Sequence, residues 1–158
     1  MKVFKKISLI VIMLVAALVV TGCGSKNIEG SLEDIMTKLY AGIPEDQRPM
    51  MLMNTEVNEE NVEYFLGTKD IEYEEALASE PGIGSIAHSV VLVRVKDGAN
   101  VEAIEEKIEN SINPRKWVCV GVEKDDVIVE SEGNLIALIM IEDEKTREKI
   151  EEAFDKLK

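Results

Sequence analysis

An apolar run of 14 residues, Ile7–Val20, follows lysines at positions 2, 5 and 6. A basic stretch followed by an apolar stretch of this length is typical of a secretory signal peptide. A helix needs about 20 residues to cross a bilayer, so the run is short for a permanent membrane anchor. We therefore expect residues 1–22 to be a signal peptide that is removed, and the fold to lie in the remainder of the chain.

The apolar run ends in Val20, Thr21, Gly22 and Cys23. An aliphatic residue, two small residues and a cysteine resemble the lipobox of bacterial lipoproteins. The resemblance implies cleavage between Gly22 and Cys23 and attachment of lipid, such as palmitate, to Cys23. Two or three acyl chains hold a protein durably on a membrane, whereas one holds it only marginally. An ordinary signal peptide with a coincidental cysteine is the weaker alternative, because the cysteine stands where the small residues require it.

Charge is distributed unevenly between the predicted signal and the rest of the chain. The whole sequence has 18 Lys and Arg against 31 Asp and Glu, a net charge of −13. Removing residues 1–22, which hold three lysines and no acid, leaves 15 − 31 = −16. Nucleic-acid binding requires clustered basic residues, so the composition argues against a nucleic-acid partner. It also argues against attachment to anionic lipid through protein charge alone.

The remaining length fits one domain without disulfides. Residues 23–30 are short and polar and are predicted to be the lipidated cysteine and a tether, and residues 31–158 are predicted to be a single acidic domain. If Cys23 is lipidated, Cys119 is the one cysteine left, so no intrachain disulfide can form. Because Cys119 lies in an apolar segment, Trp117–Val122, we expect it to be a small core residue on a buried strand.

Helix and strand signals alternate irregularly along residues 31–158. Ser31, Asn58, Asn100 and Asp143 each precede a helical pattern and are predicted N-caps. The strongest strand signal is Ile86–Val95. A meander is predicted from Trp117–Val122, Val127–Glu130 and Leu135–Ile141. This order predicts an α+β fold in two layers, a mainly antiparallel sheet with helices packed on one face.

No catalytic, metal-binding or cofactor-binding constellation is found in the sequence. His88 is the single histidine and lies in the predicted strand without a nucleophile or protease motif, which favours a structural or solvent-facing role. Met50, Met51 and Met53 could suggest Cu(I), but lack nearby His or Cys and are better explained as core filler. Acidic pairs are expected to be solvated surface, although weak binding of divalent cations stays open. The basic, aromatic segment Asn113–Trp117 is predicted to be a turn leading Trp117 into the core.

The overall pattern resembles small lipoproteins of low-GC Gram-positive bacteria that carry a domain of unknown function. The matching stretch is the strand Ser89–Val95, the Lys96-Asp97-Gly98 turn, the helix Val101–Ile112 and the following meander. The resemblance implies no activity and no catalytic residues. We expect a non-enzymatic binding or interaction module, lipid-anchored on the extracytoplasmic face of the cell membrane, with another envelope protein as its partner. The alternative is an accessory lipoprotein that captures a small ligand or divalent cation for a membrane system.

Overall fold

The computed structural model describes residues 27–157, so the predicted signal peptide and the lipobox lie outside the described residues. Four helices and five strands form the domain. The helices are α1 (Leu32–Tyr40), α2 (Val62–Leu66), α3 (Val101–Ser111) and α4 (Glu144–Asp155). The strands are β1 (Leu52–Glu56), β2 (Glu75–Pro81), β3 (His88–Arg94), β4 (Val127–Glu132) and β5 (Leu135–Ile141). The predicted α+β class is confirmed.

The five strands form one sheet in the order β1-β2-β3-β5-β4, and every neighbouring pair is antiparallel. Because of this register, one end of the sheet holds Arg94 opposite Leu135, and the other holds His88 opposite Ile141. We call these the near end and the far end. His88 and Arg94 are six residue steps apart along β3, or about 20 Å at roughly 3.4 Å per residue.

The prediction of helices on one face in two layers is wrong, because both faces of the sheet are covered. One face packs on α1 and α4 around Leu39, Leu92 and Phe154. The other packs on α2, α3 and the loop after α3, around Phe65, Ile108 and Trp117. All seven residues of β3 and of β5 are buried. Continuous apolar runs such as Leu135–Ile141 are the signature of strands that are buried on both faces.

Three of the four predicted N-caps are confirmed by a capping hydrogen bond. The side chains of Ser31, Asn100 and Asp143 accept hydrogen bonds from the backbone N–H groups of Asp34, Ala103 and Thr146. The predicted N-cap of α2, Asn58, is wrong, because the N-cap is Asn61, three residues later. There Asn58 instead accepts from the Glu60 N–H in a turn just before the helix.

The predicted strand Trp117–Val122 is wrong. The segment is a loop, closed by a hydrogen bond of 2.9 Å from the Val122 N–H to the Pro114 carbonyl. Trp117 and Val122 are buried, whereas Val118 is 68% exposed. Cys119 is exposed with a φ of 63°, so it is not the core residue that the apolar pattern predicted. Left-handed backbone at Cys119 is incompatible with a continuous strand.

Candidate functional site

The near end of the sheet fixes the first described residues of the chain. The buried guanidinium of Arg94 donates hydrogen bonds to the carbonyls of Ile28 and Gly30, and its Nε lies 2.7 Å from Glu75 Oε1. The Ile28 N–H donates to the Asn134 side chain over 3.1 Å. The last residues of the predicted tether therefore contact the domain at the near end, next to the start of α1.

The far end holds a buried histidine–tyrosine pair. His88 Nε2 lies 2.7 Å from the Tyr40 hydroxyl, and both side chains are buried. Burial lowers the pKa of His88 from 6.5 to about 4, so the imidazole is neutral at pH 7. Burial also raises the pKa of the Tyr40 phenol well above its usual value. This neutral pair joins α1 to β3, so His88 has the structural role that was one of the two predicted alternatives, and the solvent-facing alternative is wrong.

A cavity of about 820 Å³ opens beside His88, between the loop before β1 and the start of α4. Its lining includes three cationic side chains, Arg48, Lys145 and Lys149, and two acidic ones, Glu142 and Asp143. Cavities of roughly 300–1,000 Å³ are the usual size of small-molecule sites. The wall next to His88 is apolar and consists of Ile86, Ala87 and Ile141.

Exposed apolar side chains form a second feature of the far end. Met50, Met51, Met53 and Val118 are 71%, 64%, 53% and 68% exposed, and we call them the methionine surface. A methyl group built onto Gly82 would lie 3.4 Å from Met53 Cε and 3.6 Å from Met51 Cε, so both side chains cover this glycine. The Val118 N–H donates over 2.8 Å to the carbonyl of Gly84, which is two residues along the chain from this glycine.

The backbone of the methionine surface is unusual. Among the described residues, the non-glycine residues with positive φ are Met51, at 56°, and Cys119, at 63°. Left-handed backbone costs about 1–2 kcal/mol for a residue with a Cβ. One such residue belongs to the methionine surface, and the other directly follows Val118. Strain of this kind clusters at functional positions, which makes this surface a candidate site.

A buried ion pair lies next to the methionine surface, because Glu80 is the register partner of Met53. Lys116 Nζ lies 2.5 Å from Glu80 Oε1, and their side chains are 4% and 13% exposed. The ammonium lies 4.4 Å from the ring centre of Tyr64 and 5.1 and 5.3 Å from those of Phe65 and Trp117. Burial lowers the pKa of Lys116, and the charge of Glu80 opposes that shift. The pair ties the loop after α3 to β2 and α2.

The structure does not bring the candidate residues of the sequence analysis together in one site. Gly22 and Cys23 lie outside the described residues. The methionines are exposed, so their interpretation as core filler is wrong. The basic segment Asn113–Trp117 is divided: Trp117 reaches the core as predicted, Lys116 is buried with Glu80, and Arg115 forms an exposed ion pair with Glu123. Sequence reasoning missed the convergence of Arg48 with α4, because only the fold brings positions about 100 residues apart together.

Acidic side chains from β4, α3 and α4 surround Glu130 at the other edge of the sheet. Burial, followed by the charges of Asp155, Glu151, Glu132 and Glu105, raises the pKa of Glu130 to about 7. In residues 27–157, no group of three or more His, Cys, Asp or Glu side chains is placed to hold a metal ion.

None of the helices within residues 27–157 has the length and apolar character needed to span a membrane. No protein-family model, curated protein or solved structure matches this chain. The functional interpretation therefore rests on the geometry of the far end.

Proposed function

We propose that this protein is a lipid-anchored, extracytoplasmic, non-enzymatic interaction module that binds an extended segment of a partner envelope protein. The binding surface is the methionine surface together with the free edge of β1. The observation that carries the proposal is the cluster of exposed methionines beside an edge strand. Large apolar side chains exposed together mark interaction sites more often than ordinary surface.

Methionine suits a surface that binds an extended segment. Its unbranched side chain and polarizable sulfur adapt to different apolar partners. Within residues 27–157, β1 pairs with β2 along one edge and has no strand along the other. Unpaired N–H and C=O groups on such an edge can accept an added strand. A partner segment in extended conformation would bond to this edge and place alternate side chains against Met53.

The acidic charge of this chain indicates which side chains the partner segment should carry. Residues 23–158 carry −16, so two copies of this chain would repel each other. Glu56 lies on β1, and Glu59, Glu60 and Glu63 follow it, all exposed. We therefore expect a partner segment that combines apolar residues with Lys or Arg, and not a second copy of the chain.

The position of the lipid anchor determines which end of the sheet would face away from the membrane. If Cys23 carries lipid, the chain reaches the domain at Ile28 and Gly30, which contact Arg94 at the near end. The methionine surface is at the opposite end of the sheet. Electrostatic repulsion also favours an acidic domain that stands away from anionic headgroups, within a screening length of about 8 Å. The binding surface would then face away from the membrane.

Binding can be tested with a probe peptide of alternating valine and lysine and the full chain in non-ionic detergent. We expect saturable binding by calorimetry, weakened about tenfold by M50S/M53S, since two apolar contacts are lost. The matched control M50L/M53L keeps apolar area and should bind as the native chain does. A peptide N-methylated at alternate residues should not bind, because it cannot pair with β1. Equal binding by the serine and leucine variants would contradict the proposal, as would a native dimer that M50S/M53S converts to a monomer.

Anchoring has a separate test. Metabolic labelling with palmitate should label the native chain and fail for Cys23→Ala, whose precursor should remain uncleaved or be released. Cys119→Ser is the control and should be labelled normally. Labelling that persists in Cys23→Ala would contradict the lipobox interpretation.

A further inference from the structure

The cavity at the far end is basic within a strongly acidic protein. In residues 27–157, seven lysine and arginine side chains form ion pairs with carboxylates. Arg48, Lys145 and Lys149 form no ion pair there, yet all three line this one cavity. Cations that form no ion pair and converge on one cavity favour an anionic ligand.

Arg48 is held in place independently of any ligand. Its Nε donates to the Ile43 carbonyl over 2.9 Å and its Nη2 to the Tyr40 carbonyl over 2.8 Å, at the end of α1. A guanidinium has five N–H groups, so these two bonds leave others available. The fixed, planar donor group can bind a carboxylate or phosphate without losing much side-chain freedom.

Lys145 and Lys149 project from the same side of α4, one turn apart. The nearby carboxylate of Asp143 is already engaged, because it accepts a hydrogen bond of 2.9 Å from the Thr146 N–H. A hydrogen bond from the Thr146 side chain, then the bond from its N–H, and then the charges of Lys145 and Lys149 lower the pKa of Asp143. With Glu142 included, the lining has three positive and two negative groups, an excess of +1 in a chain of −13.

The rest of the cavity wall adds shape but no charge. His88 is neutral, and Ile86, Ala87 and Ile141 are apolar. A ligand with an anionic group and a small apolar body would match such a wall. A metal cation would be repelled by the three basic side chains, so the cavity does not fit the cation-capture alternative.

We propose that the far-end cavity binds a small soluble anion carrying a carboxylate or phosphate group, with Arg48, Lys145 and Lys149 as its charged contacts. The site is separate from the methionine surface, although Arg48 and Met50 are two residues apart. A membrane headgroup is the less suitable source of the anion, because the cavity is at the opposite end of the sheet from Ile28 and Gly30.

The test uses the full chain in non-ionic detergent, with inorganic phosphate and citrate as probes at low ionic strength. Calorimetry should detect saturable binding of at least one probe. K145Q/K149Q should weaken it about tenfold or more, since the charge-assisted contacts of both lysines are lost. The control K38Q/K124Q removes the same charge from exposed lysines that also form no ion pair within residues 27–157. It should change the affinity less than about twofold, because neither lysine lines the cavity.

Two further arms make the result decisive. The NMR signals of the His88 ring should shift on addition of the bound anion in the native chain and not in K145Q/K149Q. Equal loss of affinity in both double variants, or no saturable binding of either probe, would overturn the proposal. Binding to phosphatidylglycerol vesicles with none to the soluble probes would overturn the assignment to a soluble ligand. Unchanged thermal unfolding of both double variants would show that the fold is intact.

Discussion

His88 illustrates how one buried residue makes the stability of this protein depend on pH. The imidazole has a pKa of about 4 in the folded chain against 6.5 when exposed, because burial disfavours its charged form. Between these values the unfolded chain binds a proton that the folded chain does not. Stability from the neutral His88 is therefore complete above pH 6.5 and is lost as the pH falls toward 4.

The variant His88→Gln should remove this dependence. The native chain should lose up to about 3 kcal/mol more free energy of unfolding than His88→Gln does between pH 7 and pH 4.5. Urea unfolding at the two pH values measures the difference, and other titrating groups cancel because both proteins contain them. Parallel pH profiles of the two proteins would show that His88 is not held in its neutral form.

At the scale of elements, the junction between α2 and α3 depends on one glycine. Gly67 ends α2 with a φ of 76°. A Cβ at this position would lie 2.5 Å from the Ile112 nitrogen and even closer to the Ser111 carbonyl group, which are backbone atoms that cannot move aside easily. This contact with the end of α3 comes from the tertiary fold, because Gly67 and Ile112 are far apart in the sequence.

Gly67→Ala should therefore destabilise the domain by more than its backbone conformation alone explains. Gly98 is the matched control, since its φ is 78° and a Cβ there would have no atom within 4 Å. Gly98→Ala should cost about 1–2 kcal/mol, and Gly67→Ala about 2 kcal/mol more because of the clash. Equal losses in urea unfolding would show that α2 and α3 are not in close contact.

Glu130 on the edge strand β4 makes stability depend on pH in the opposite direction to His88 on β3. The pKa of Glu130 is raised to about 7 from 4.5, so the stability from its neutral form is lost as the pH rises through 7. Glu130→Gln stays neutral at every pH. We expect its Tm to match that of the native chain near pH 4.5 and to exceed it at pH 8 by about 2 °C, a small value because Glu130 is partly exposed. A Tm at pH 8 that is no higher than the native value would contradict this.

At the scale of the whole molecule, local patterns predicted the elements better than the layers. The capping side chains of Ser31, Asn100 and Asp143 announced three helices correctly, because capping is a local interaction. The uninterrupted apolar run of β5 indicates a strand that is buried on both faces of the sheet. The order of helices and strands had instead suggested that helices cover one face. The loop Trp117–Val122 could not be predicted, since its apolar residues are exposed in part and only the fold brings Val118 to Gly84.

The candidate site was harder to predict for the same reason. The methionine cluster was visible in the sequence, but its exposure depends on the edge position of β1. The cavity cations come from the loop before β1 and from α4, which the register of β3 and β5 brings together. Both features lie at the far end, and the described chain begins at the near end. This polarity is the central claim about the whole molecule.

The polarity can be measured with a fluorophore on the lipidated chain in liposomes that contain headgroup-labelled quencher lipids. Cys119 is exposed beside the methionine surface and, with Cys23 lipidated, is the available thiol. The comparison is Cys119→Ser/Asp97→Cys, whose thiol would follow β3 at the near end. We predict stronger quenching at position 97 than at position 119. Equal quenching, or stronger quenching at position 119, would contradict a binding surface that faces away from the membrane.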